Sequence, residues 1–206
     1  MRRVLLISLS LVLALAGWSA VCADDGFYVI PTMRGKYAPV PKTGQTTPYD
    51  QNIPQKDDGA LKKGVAWPSP RFTDNNNGTV TDKLTELIWM KNANAFDVKK
   101  TWAEALSAAA TLANGFGGLT DGSKAGDWRL PNVRELLSLI DYDRSNPALP
   151  EQNHFTGVQP WFYWSSTTYL SDTTMAWDVY IGGDGDTDRC PKVTADDYVW
   201  CVRGGR

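Results

Sequence analysis

Hydrophobic and polar positions change their period several times along this chain, and each change marks an element. Val4 to Ala16 is a nearly continuous apolar run behind Arg2 and Arg3. Residues 24–70 show neither a helical nor a strand period, and seven of the twelve prolines fall there. That composition predicts an extended, proline-rich arm or lead-in, with one short strand at Phe27–Ile30. From Arg71 onward the pattern sharpens. Arg71-Phe72-Thr73 and Thr79-Val80-Thr81 flank Asp74-Asn75-Asn76-Asn77-Gly78, whose Asn and Gly residues tolerate positive φ, so a hairpin is expected. Leu87–Met90 reads as a third strand. Thr101 with Glu104 forms a capping box ahead of an alanine-rich helix running to Ala113, and Asn114-Gly115 stops it. A second helix begins at Asn132 and ends at Asp141, with Val133, Leu136, Leu137 and Ile140 on one stripe.

The last third turns to a period of two. Tyr163–Thr167 is one strand. Met175, Trp177, Val179 and Ile181 alternate with Ala176, Asp178 and Tyr180, and Tyr198–Arg203 is the final strand. Gly182 to Asp197, rich in Gly and Asp, is expected to be a loop. The fold class is therefore α+β, an antiparallel sheet with two helices and long loops. The expected segments are a leader over 1–23, an arm over 24–70 and a domain over 71–206.

Charge and cysteine content narrow the setting. The basic start, short apolar run and Val21-Cys22-Ala23 exit have the form of a secretory signal peptide cleaved before Asp24. A lipidated Cys22 is the alternative, for which Val21 is a poor preceding residue. The run is too short for a bilayer span, which needs about 20 apolar residues. Cleavage lowers Lys+Arg from 21 to 19 against 23 Asp+Glu, a net charge of −4. That balance argues against a general nucleic-acid or anionic-membrane binder. The expected location is exported: periplasmic, secreted or attached to the cell surface. Of three cysteines, Cys190 and Cys201 remain after cleavage. In an oxidising compartment an even pair predicts one disulfide.

Five ordered motifs carry a family resemblance. Arg71-Phe-Thr-Asp74, Gly78-Thr-Val-Thr-Asp82, Asp127-Trp-Arg-Leu-Pro-Asn132 with Glu135-Leu-Leu137, Tyr163-Trp-Ser-Ser-Thr167 and Cys201-Val-Arg-Gly-Gly205 resemble the C-terminal domain of the Legionella collagen-like adhesin. The resemblance spans residues 71–206, and Lys42-Thr-Gly-Gln45 and Gly64-Val-Ala-Trp67 extend it toward residue 40. It implies a C-type-lectin-like fold, related to formylglycine-generating enzymes and phage receptor-binding domains, with a disulfide in the C-terminal half. One departure is Glu86, where the family places Gly after Leu84-Thr85. The collagen stalk is missing, so trimeric display does not carry over.

Candidate chemistry is sparse. His154 is the single histidine, which leaves no imidazole cluster, and no nucleophile motif accompanies it. The formylglycine-generating relatives depend on cysteine, and a disulfide would leave no thiol to react. The chain is therefore expected not to be an enzyme. Asp184, Asp186 and Asp188 alternate in a Gly-rich loop, a spacing that can wrap Ca2+, the one cofactor the pattern allows. Trp89, Trp128, Trp164, Trp177 and Trp200 are expected in the core. Arg129 and Arg203 are expected to pair with Glu135 or Asp141. Trp161 and Tyr169, with Asp172 and Arg189, are the candidate ligand contacts on loops 143–172 and 182–197. The expected partner is a glycan or surface protein, contacted in an adhesin-like manner. The alternatives are a structural envelope subunit that oligomerises through residues 24–70, and a formylglycine-generating-type enzyme.

Overall fold

The computed structural model describes residues 19–23, 26–30, 40–49, 56–194 and 196–204. Most of the expected leader, 1–18, lies outside them, so the signal-peptide reading rests on sequence alone. The chain divides into two units, 1–36 and 37–206. In the first, β1 (Ser19–Ala23) pairs antiparallel with β2 (Gly26–Ile30), which contains the expected Phe27–Ile30 strand. No helix among the described residues is long and apolar enough to cross a membrane.

The second unit is α+β with two antiparallel sheets. One has the order β3 (Phe72–Asp74), β4 (Thr79–Asp82), β5 (Leu87–Met90) and β9 (Val202–Arg203). The other has the order β6 (Tyr163–Thr168), β7 (Met175–Val179) and β8 (Thr187–Pro191). Helix α2 (Trp102–Thr111) packs on β6, and α3 (Val133–Ser138) on β6 and β7. A four-residue helix, α1 (Asp58–Leu61), sits in the lead-in.

The hairpin forms as expected. Phe72 faces Asp82 and Asp74 faces Val80. Asn76 and Gly78 take positive φ of 56° and 82°. A Cβ on Gly78 would stand 2.4 Å from the Gly118 carbonyl oxygen, so glycine is required there. The capping box also forms, with Glu104 accepting from the Thr101 amide at 3.0 Å. Asn132 accepts from the Glu135 amide at 3.0 Å and starts α3. That helix is shorter than expected. It ends at Ser138, and Leu139 and Ile140 continue the buried stripe as turns.

Trp200 is the hub of the core. Its ring lies 5.6 Å from Trp89, 4.7 Å from Phe155 and 5.6 Å from Tyr163. Its indole N–H donates to the Met90 carbonyl at 2.7 Å. Trp89, Trp128 and Trp164 are buried as expected. Trp177 is not. Along β7 the buried side chains are Ala176, Asp178 and Val179, whereas Trp177 is half-buried. The alternation is real, but its phase puts an aspartate inside, where the Asp188 amide donates to its Oδ1 at 3.2 Å. The expected 182–197 loop is corrected too, since it contains β8. This strand carries polar side chains and has one neighbour, so no apolar alternation announces it. The expected 198–203 strand contracts to β9.

One buried ion pair ties these parts together. Arg71 Nε donates to Asp82 Oδ1 at 3.0 Å and Nη2 to Oδ2 at 2.7 Å. Nη2 also reaches the Ser138 carbonyl at 2.5 Å, at the end of α3. The guanidinium lies 4.7 Å from the centroids of both Trp67 and Phe72. Asp82 further accepts from the Leu84 amide and Thr85 hydroxyl. Residues 40–49 and 56–70 are therefore no free arm. Besides Trp67 on Arg71, the Tyr142 amide donates to the Thr43 carbonyl at 3.0 Å and Thr46 Oγ1 to Asp143 at 2.5 Å.

The glycine that the resemblance expects after Leu84-Thr85 would suit the backbone found there. Glu86 has φ 61°, the left-handed region in which a side chain is strained. Glu86→Gly is expected to raise stability by about 0.5–1 kcal/mol in a urea titration. Arg71→Met is expected to lower it by about 3–5 kcal/mol, because Asp82 would keep a buried charge without its partner.

Candidate functional site

Strands β7 and β8 carry different chemistry on their two sides. Trp177 pairs with Arg189, and Ala176 with Cys190. Residues along a strand alternate between faces, so Trp177 and Arg189 share one face while Asp178 and Cys190 share the other.

The outward face is aromatic and cationic. Tyr169 and Trp177 meet edge to face at 5.3 Å. The Arg189 guanidinium stands over Tyr169, 5.3 Å from the ring centroid. At the same end, Lys192 lies 4.1 Å from the Trp102 ring centroid and donates to Thr168 Oγ1 at 2.8 Å. Two of the expected contacts, Tyr169 and Arg189, thus come together, and Trp177 joins them. Asp172 does something else. It accepts from the Thr174 amide at 3.0 Å and hydroxyl at 2.6 Å, and so closes the β6–β7 turn. The Thr174 hydroxyl and amide hold its carboxyl below the usual range.

Trp161 is 44% exposed and belongs to the other group. Its indole N–H donates to Asp197 Oδ1 at 3.0 Å, and Lys99 Nζ lies 3.5 Å from its ring centroid. Beneath it are Asp178, Cys190 and Asp197, each with a ligand atom within 4.8 Å of the others. Both carboxylates are buried. Burial pushes the Asp197 carboxyl up to about 7, helped by the facing Asp178 charge. Burial raises Asp178 as well.

Three expectations are corrected at this point. No disulfide joins Cys190 and Cys201, and both are free. Cys190 faces Asp178 and Asp197, while Cys201 lies buried where its carbonyl receives the Met90 amide. Burial pushes both thiols well up, so each stays protonated at neutral pH. Asp184, Asp186 and Asp188 form no converging set among the described residues. Asp184 accepts from the Asp186 amide in a turn, and Asp188 belongs to β8 beside Asp178. Arg129 pairs with Glu135 at 2.8 Å as expected, but Arg203 pairs with Asp121 at 3.0 Å.

A polar cleft of about 480 Å³ was not foreseen. It is lined by Asp74, Asn76, Lys91, Asn92 and Thr156 over a floor of glycines. The Asp74–Lys91 ion pair, 2.6 Å long, runs through it. Its residues come from four segments spread between positions 74 and 156, and no local pattern links them.

The family model for the Lcl C-terminal domain matches residues 78–203. No curated protein and no solved structure matches the chain.

The raised Asp197 carboxyl has a measurable consequence. A carboxyl with a higher pKa in the fold than in the unfolded chain, where Asp titrates near ~3.9, binds its proton more tightly when folded. Its stabilisation is greatest below that unfolded value and is lost as pH rises through about 7. In chelator-treated protein, urea midpoints are expected to fall between about pH 4 and pH 7, and Asp197→Asn is expected to flatten that decline.

Proposed function

This chain belongs to the Lcl C-terminal domain family, and we propose that it is an exported, non-catalytic binding module of C-type-lectin-like fold. It holds a glycan or a surface protein in an adhesin-like manner. The observation that carries this reading is the outward side of β7–β8. Tyr169, Trp177 and Arg189 are ordered against one another there, yet none belongs to the buried core. Aromatic rings offer flat apolar area with little conformational freedom to lose, which suits sugar faces and protein hot spots. An arginine stacked on such a ring is held ready for a carboxylate or sulfate without a search through rotamers. Leu170 and Val193, next in the chain to Tyr169 and Lys192, are 88% and 79% exposed.

Non-catalytic action fits the remaining side chains. The two thiols are held protonated by burial, and His154 is an exposed residue at φ 65°. The leader-like Val4–Ala16 run supports export.

The test is a glycan array and a surface-protein pulldown with purified residues 24–206. Tyr169→Ala and Arg189→Ala are each expected to weaken the ligand found by about tenfold, or about 1.4 kcal/mol, with an unchanged melting curve. Saturable binding that both variants leave untouched would move the site elsewhere, with the Asp74–Lys91 cleft next in line.

A further inference from the structure

The inward side of the same two strands holds two buried carboxylates that form no ion pair among the described residues. Asp178 is fully buried and Asp197 is 3% exposed. Each has one oxygen with a partner: Asp178 Oδ1 accepts from the Asp188 amide at 3.2 Å, and Asp197 Oδ1 from the Trp161 indole. Their Oδ2 atoms meet no donor of acceptable geometry. What lies near them is each other and the Cys190 thiol. Two buried acceptors without a donor are costly, and ionising both carboxyls side by side is more so. A cation between them removes both costs.

We infer that Asp178, Cys190 and Asp197 form a binding site for a divalent cation of the zinc class. The donor set selects the metal. One thiolate and two carboxylate oxygens, with a fourth position left to water, match the mixed and low coordination of Zn2+. Ca2+ and Mg2+ take oxygen ligands, six or more in number, and a thiolate does not serve them. The site is also held in place before any ion arrives. Asp178 and Cys190 are fixed by the β7–β8 ladder. Asp197 is clamped by two backbone hydrogen bonds with Lys100, at 3.0 and 3.2 Å. Three ligands held by one strand ladder and one separately clamped segment cost little to organise. Trp161 is a positioning residue, since its indole fixes which Asp197 oxygen faces inward. Cys190 is half-buried, so an ion has a route from its side.

Binding is written with its protons. The Cys190 thiol loses its proton to become a thiolate ligand, and any proton held by Asp197 leaves with it. The metal takes their place and no electron is transferred. Affinity therefore rises with pH.

The decisive probe is Co2+ added to the reduced, chelator-stripped full chain, because a cobalt–thiolate bond gives a charge-transfer absorption that carboxylates alone do not. The expected result is one equivalent of Co2+ with that band, displaced stoichiometrically by Zn2+. Cys190→Ser is expected to abolish the band and Cys201→Ser to leave it. Asp197→Asn is expected to weaken Zn2+ by at least about 100-fold in a competing-chelator titration. That variant also guards against a folding artefact. Its amide can donate to Asp178, so it is expected to melt no lower than the metal-free parent. Absence of the band in the parent chain would overturn the inference. So would a band that survives Cys190→Ser, or Zn2+ affinity that Asp197→Asn leaves unchanged.

Discussion

The structure depends on a charge that was made safe to bury. Asp82 ends β4 with its carboxylate excluded from water, a position an ionised group can hold only with several compensating partners. Arg71 supplies two of its hydrogen bonds, while Leu84 and Thr85 supply the others. The same guanidinium bonds the end of α3 and lies against Trp67 and Phe72. One side chain thereby joins the first hairpin, a helix and the lead-in. Apolar packing around Trp200 provides the bulk of the cohesion, but it is not directional. The bidentate pair is directional, and it sets how the hairpin meets α3.

The parts of the fold that were legible in the sequence are those whose signals are local. Thr101 with Glu104, Asn132 with Glu135, and the Asn-rich turn before Thr79 each announce an element within a few residues, and each element is present. Trp89, Trp164 and Trp200 were readable as core because they lie in strand patterns beside apolar neighbours, and Trp128 because it stands just ahead of α3. Trp177 has the same kind of neighbours and was misplaced. A period-two pattern gives alternation but not which set points inward. The usual rule, apolar inside, fails where Asp178 has Cys190 and Asp197 to meet. Strand β8 escaped for a related reason. Thr187–Pro191 has no apolar face, and its pairing with β7 is a backbone property that side-chain pattern does not report.

Site legibility followed the same division. Tyr169 and Arg189 could be singled out as residue types, yet their meeting over Trp177 depends on the β7–β8 register. Cys190 reads from the sequence as half of a bridge, because an even pair of cysteines behind a leader-like segment invites pairing. Its actual neighbours are carboxylates from β7 and from beyond β8, and spacing along the chain contains nothing of that. The two sides of β7–β8 thus differ in character: Trp177 and Arg189 stand with Tyr169 on one, Asp178 and Cys190 with Asp197 on the other.

The contact of Trp67 with Arg71 separates two borders that are usually drawn together. The match to the family model starts at Gly78, after β3. A fragment excised there would inherit Asp82 but neither the cation that neutralises it nor the indole beside that cation. The piece of polypeptide that holds together is therefore longer than the stretch the family model matches, since Thr43 and Thr46 already bond to Tyr142 and Asp143.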